Sequence, residues 1–318
     1  MKNASSKPTM GMLKTTNDDI ESVPFSHNYT INGHSASVYS LTAGSSHFYS
    51  SSGDRYIARW DRYSGVQDQF VIKLDLPSYA IKFIESNGVL AVGTSDGKLY
   101  LFDTKSKKEL KCFTQHKSAI FSIEENKDNK HLYVGDEEGY LSVWNTLTWE
   151  LQMIVNLNCG KIRSLHFSSA KKLLFIGKQN GEISIFETDY YNEIKCFRAH
   201  KDGVSSIIYC QERGVIASGG NDAYIRLWTC EGEAIKSIPA HNYTIYSLIS
   251  LSNDLFLSSS RDKSIKVWSG FYDHVIQKID AKSKGHTYSV NTLLKLNDTE
   301  FLSGGDDKKI ICFKKSID

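Results

Sequence analysis

Residues 218–228 read SGGNDAYIRLW, and residues 258–268 repeat the pattern as SSSRDKSIKVW. Five further segments align with them: SSSGDRYIARW at 50–60, VGTSDGKLYLF at 92–102, VGDEEGYLSVW at 134–144, IGKQNGEISIF at 176–186 and SGGDDKKIICF at 303–313. Their closing aromatics, Trp60, Phe102, Trp144, Phe186, Trp228, Trp268 and Phe313, stand 42, 42, 42, 42, 40 and 45 residues apart. An aliphatic residue lies three positions before each aromatic, and Asp, Glu or Asn lies six before it. Short alternating apolar runs bounded by turn residues predict four β-strands per unit, with no long segment of helical period. A fixed period of this length marks stacked units, each of which buries its apolar face only against its neighbours.

Outward from the repeats, the composition fits a folded chain. Apolar residues make up 40% and aromatics 12% of the 318 residues, ample for a core and far from disorder as a general state. The 38 Lys and Arg nearly balance 36 Asp and Glu, so a charge-driven function must be local, and direct nucleic-acid binding is not expected. The longest purely apolar runs, such as Val89–Val92, have four residues, against the roughly 18 that a membrane-spanning helix needs. No membrane association is expected. Residues 1–24 are mostly polar and hold no signal-like apolar stretch, so secretion is not expected either. The six cysteines lack C-x-x-C pairs and dense spacing and read as reduced thiols. The cytoplasm is the expected compartment, with the nucleus left open.

On these seven segments the chain resembles the WD-repeat β-propellers, whose unit is a four-stranded blade of similar length. The resemblance covers about residues 25–318, although the Trp-Asp pair itself survives only at Trp60-Asp61. It implies an all-β fold of seven four-stranded antiparallel blades. The expected division is a flexible polar tail over 1–24 and the propeller over 25–318. The last unit has room for only three strands after Gly285-His286. The unassigned strand-like stretch from Phe25 to Ile31 is therefore expected to complete it and close the ring.

Within the first unit, His34, Ser50 and Asp54 are the residue types of a hydrolase triad. The set recurs as His200, Ser218 and Asp222 and as His241, Ser258 and Asp262, each with a Trp (Trp60, Trp228, Trp268) at the same offset. Three identical active sites are implausible, and in the family these positions match a buried structural tetrad. The last blade keeps His286, Ser303 and Asp307 but ends in Phe313, whereas blade 3 keeps only His116 and Trp144. Val92, Val134 and Ile176 replace the Ser in blades 2, 3 and 4, so apolar packing is expected to replace the polar network there. These three blades have Gly97, Gly139 and Gly181 in the following turn, where tetrad blades have Arg55, Ala223, Lys263 and Lys308. Glycine accepts the positive φ of a tight turn without support from a tetrad.

Function is then sought where the units differ. In the resembled family partners dock around the channel mouth on the face bearing the loops before the inner strands. Flanking the first aliphatic of each inner strand are Tyr39, Tyr79, Ile81, Phe121 and Tyr246, an expected rim, with the cations Lys161, Arg163 and Arg261 close by. Trp268 to His286 spans 18 residues where Trp228 to His241 spans 13, an insertion that brings Lys282 and Lys284 toward the same face. Aromatics and Arg dominate binding hot spots, though the same aromatics could simply plug the channel. None of the fourteen flanking inner-strand positions is Asp, Glu or His, and no histidine or cysteine has metal-ligand spacing, so no metal, cofactor or catalytic residue is assigned. The expected function is a non-catalytic scaffold binding a protein or peptide on this top face, as a monomeric disc within a larger complex. Alternatives are a subunit of a ribonucleoprotein or ribosome-associated complex, a substrate receptor reading phosphopeptides and, least favoured, a propeller enzyme.

Overall fold

Each repeat forms four antiparallel strands because its apolar residues alternate between Gly, Asp and Ser turns that leave no length for a helix. The computed structural model describes residues 25–252 and 254–316; the proposed tail over 1–24 lies outside them. The strands group into seven four-stranded sheets, each running from an inner strand at the axis to an outer strand at the circumference. Blade 1 comprises Val38–Ala43, His47–Ser52, Tyr56–Asp61 and Gln67–Lys73. Inner strands of successive blades touch in sequence order, and Val38–Ala43 meets Val290–Asn297 of blade 7 to close the circle.

Closure follows the sequence expectation. Blade 7 holds Val290–Asn297, Glu300–Gly305 and Ile310–Lys315, and its outer strand is Phe25–Ile31. That strand pairs antiparallel from Phe25 opposite Lys315 to Ile31 opposite Ile310. The Gln277 side chain from blade 6 secures its start, accepting from Phe25 N and donating to Phe25 O, both at 2.8 Å. Phe25 is buried against Phe301.

Middle strands are covered on both sides by neighbouring blades, so Val89–Thr94 is buried along its whole length. The outer strand Lys108–Phe113 is nearly all exposed, and its Lys and Glu residues discourage pairing with another chain. Between blades, the contact is close. A Cβ on Gly93 would lie 2.3 Å from Ile120 of the next blade, one on Gly135 2.5 Å from Ile162, and one on Gly219 2.7 Å from Ile245. The absent side chain makes room for the first inner-strand residue of the following blade. Blade 1 has Ser51 at this position, and the corresponding residue of blade 2 is the small Ser78, where other blades have Val or Ile.

Candidate functional site

The inner strands share one irregularity. In all seven, the register with the second strand slips just after the first residue, as between Val38 and Ser40 or between Ile120 and Ser122. Such a bulge leaves one residue outside the ladder and re-aims its side chain. The re-aimed residues are the aromatics Tyr39, Tyr79, Phe121 and Tyr246, with Arg163, Ser205 and Asn291. Together with Asp306 they line a cavity of about 430 Å³ at the channel mouth.

Tyr39 meets Tyr79 edge to face at 5.1 Å between centroids, and Tyr79 lies parallel to Phe121 at the same separation. Lys161 Nζ sits 4.5 Å, and the Arg163 guanidinium carbon 5.5 Å, from the Phe121 ring centre. Aromatic faces attract cations, so blades 1 to 4 carry one continuous stack ending in positive charge. Burial, with lesser contributions from Tyr39 and Glu137, raises the Tyr79 hydroxyl above its ordinary pKa.

Not every residue expected on the rim lies there. Ile81 is 4% exposed and packs in the core with Tyr49, Leu90 and Phe102. Ser78, not Ala80, begins the inner strand of blade 2, since Ser78 opposes Thr94 as Val38 opposes Ser52. Tyr79 is therefore the bulge residue, and Ile81 takes the buried place of Leu41 and Ile123. Lys161 gives its charge to Glu137 at 2.6 Å. Arg261, Lys282 and Lys284 are exposed but stand outside the mouth, in the loops of blade 6 and of the crossing to blade 7. The expected insertion folds as a 3₁₀ turn over Ala281–Ser283, with the Asp280 side chain accepting from Lys282 N and Lys284 closing it in the left-handed region at φ 59°.

The His, Ser, Asp and Trp residues of blades 1, 5 and 6 form hydrogen-bonded chains. In blade 1, Trp60 Nε1 donates to Ser50 Oγ at 2.7 Å, Ser50 donates to His34 Nε2 at 2.7 Å, and His34 Nδ1 donates to Asp54 at 2.9 Å. The end groups set the direction, because indole only donates and carboxylate only accepts. Blades 5 and 6 repeat the chain with Trp228, Ser218, His200 and Asp222 and with Trp268, Ser258, His241 and Asp262. Ser50, Ser218 and Ser258 are 0% exposed, so no substrate reaches their hydroxyls. Burial alone would raise the Asp54 carboxyl. The Ser35 and Tyr56 backbone N–H groups and the His34 ring outweigh it and hold the pKa below the usual range.

Blade 3 overturns the expectation of apolar replacement. His116 Nδ1 donates to Asp136 at 2.8 Å, Ser142 donates to His116 Nε2 at 2.7 Å, and Trp144 Nε1 donates to Ser142 at 2.8 Å. The tetrad is complete, with its Ser on the third strand opposite Val134 and its Asp two residues earlier than in other blades. Blade 4 is not apolar either: Lys178, 4% exposed, lies 3.6 Å from Glu182 and 3.9 Å from Glu193, and Ser184 donates to Glu193. In blade 7, Phe313 replaces the indole and the chain has three members, His286, Asp307 and Ser303.

The turn glycines also have a second reason. Positive φ occurs at this position in all seven blades, including Arg55, Ala223, Lys263 and Lys308 at 67–71°. At Gly97 and Gly181 a Cβ would lie 2.7 and 2.2 Å from the His116 and His200 carbonyl oxygens. Close approach by the next loop, as well as conformation, requires glycine there.

The family model for the WD domain, G-beta repeat, matches residues 25–61, 107–145, 191–229 and 232–269. Among curated proteins, the ubiquitin homeostasis protein lub1 of Schizosaccharomyces pombe is 38% identical over 78 residues, 24% of this chain and 11% of its own. The pre-mRNA-processing factor 17 of Saccharomyces cerevisiae is 33% identical over 79 residues, 24% of this chain and 17% of its own. The chain thus spans less than a fifth of the length of either relative. Four matched repeats, seven blades sharing one bulge and one turn, and a His-Ser-Asp-Trp chain complete in four of them lead to a single assignment: the chain belongs to the WD-repeat β-propellers.

Proposed function

We propose that the protein is a non-catalytic interaction scaffold that holds a peptide segment of a partner protein at the top mouth of its channel. One observation carries this reading. Seven bulges converge on a cavity walled by the Tyr39–Tyr79–Phe121 stack, with Tyr246 on a separate arc, and these rings remain partly exposed. Rigid aromatics presented by paired strands bind with little ordering cost. Members of the family generally act without catalysis, and the buried, doubly engaged serines agree with that.

A second reading, membership of a ribonucleoprotein, draws support from the resemblance to a pre-mRNA-processing factor over a quarter of the chain. A phosphopeptide receptor is less well supported, because Arg163 is the only cation lining the mouth among the described residues. The test is capture of partners on immobilised protein, comparing the intact chain with Tyr39→Ala/Phe121→Ala and with Tyr63→Ala/Tyr190→Ala, whose rings are exposed elsewhere. Partners lost only from the first variant, with unchanged circular dichroism, are expected. Partners lost only from the second would move the site away from the mouth.

A further inference from the structure

The mouth carries two opposite charges that the protein does not neutralise. Arg163 makes no ion pair and no side-chain hydrogen bond among the described residues, and its Nε is buried without a partner. Asp306 accepts from Asn291 Nδ2 at 2.8 Å but meets no cation among the described residues. Elsewhere charged groups near the axis are matched, as Lys82 is with Glu124 at 2.8 Å and Lys161 with Glu137 at 2.6 Å. Arg163 belongs to blade 4 and Asp306 to blade 7, as far apart as a ring of seven permits. They cannot satisfy each other, and partial burial without an opposite charge costs free energy in both cases.

From this opposition we infer that the occupant is a peptide segment carrying an acidic side chain for Arg163 and a basic one for Asp306, with apolar groups between them against the exposed parts of the Tyr39, Tyr79 and Phe121 rings. The inference rests on the mouth being the peptide site. The acid is a carboxylate. A single guanidinium offers the fork geometry that a carboxylate matches, whereas a phosphate dianion is usually held by a cluster of cations, and the neighbouring Lys161 is already taken. Asn291 fixes the Asp306 carboxylate from one side and leaves its other oxygen for the incoming cation.

The experiment is selection of random displayed peptides on four proteins: the intact chain, Arg163→Glu, Asp306→Lys and the double exchange. Peptides selected by the intact chain are expected to carry an acid and a base in one order. Arg163→Glu should lose the preference for the acid, Asp306→Lys the preference for the base, and the double exchange should select the reversed order. In synthetic peptides, neutralising either charge should weaken binding about tenfold, the effect of one modest charge contact. Reversal of order is a readout that mere structural damage cannot produce. Peptides without charge enrichment, or with the same enrichment on all four proteins, would overturn the inference but leave the peptide site standing. Recovery of no peptide by any of the four would overturn the site as well. Tighter binding when phosphoserine replaces the selected acid would overturn the assignment of a carboxylate.

Discussion

At the scale of single residues, Ser142 shows what the polar chains require. Its hydroxyl accepts from Trp144 and donates to His116 at once, and all three side chains are buried. Ser142→Ala removes one oxygen and strands two polar groups, each costing about 1 to 3 kcal/mol, so a total loss of about 2 to 6 kcal/mol is expected. Urea unfolding of the variant would measure it, and a loss below about 1 kcal/mol would mean that the chain contributes little. The sequence hid this tetrad because the geometry fixes where an oxygen must be, not which strand supplies it. Val134 at the family's Ser position looked like loss of the network, while Ser142, opposite it across the ladder, delivers the same atom to the same place. Ile81 departs from the expected rim for a related reason: Ser78 stands where the other blades have an aliphatic, so the sequence pattern alone starts this strand two residues late.

At the scale of strands and blades, far more was legible. Strand number, blade number and the closing pair all follow from periodic aromatics and turn residues, since these answer to backbone hydrogen bonding and burial, which every blade shares. The bulge was not legible, because a slip of register leaves no signature in residue type; Tyr39, Arg163 and Asn291 occupy the same backbone site with unrelated side chains. Two expectations belong to this scale. Gly219→Ala places a methyl 2.7 Å from Ile245 in the next blade and should cost about 1 to 3 kcal/mol by overpacking, read as a lower urea midpoint. Removing residues 1–32 takes away the outer strand of blade 7, exposes Ile310–Lys315 as an edge and should yield aggregates in size-exclusion chromatography, whereas removing 1–20 should leave a monomer. A stable monomer from the longer deletion would refute closure by Phe25–Ile31.

At the scale of the whole molecule, the tetrads link stability to pH through groups spread around the ring. Burial would raise the carboxyls of Asp54, Asp222, Asp262 and Asp307, but it is outweighed by histidine rings in all four, together with backbone N–H groups at Asp54, Asp262 and Asp307 and the Arg226 guanidinium at Asp222, and all four are lowered. Since the folded value lies below the unfolded one of about 3.9, the unfolded chain binds more protons between the two. Their stabilisation is complete above about pH 4 and is lost as pH falls through the folded values. His241 acts in the same direction at higher pH. Its burial lowers the ring pKa, against the raising effect of Asp262 and with Lys266 and Lys278 assisting, so the fold holds it neutral. Protonation in the unfolded chain begins near 6.5, and stability should therefore decline as pH falls below that value. The urea midpoint should be level from pH 8 to about 6.5, fall gently toward pH 5 and fall steeply below about 4. His241→Asn should have a lower midpoint at neutral pH, because it breaks the chain between Ser258 and Asp262, yet lose only part of the gentle decline, since burial also lowers the ring pKa of His131 and His166, and keep the steep one. A midpoint that rises between pH 7 and 5 would refute the neutral His241 that its burial implies.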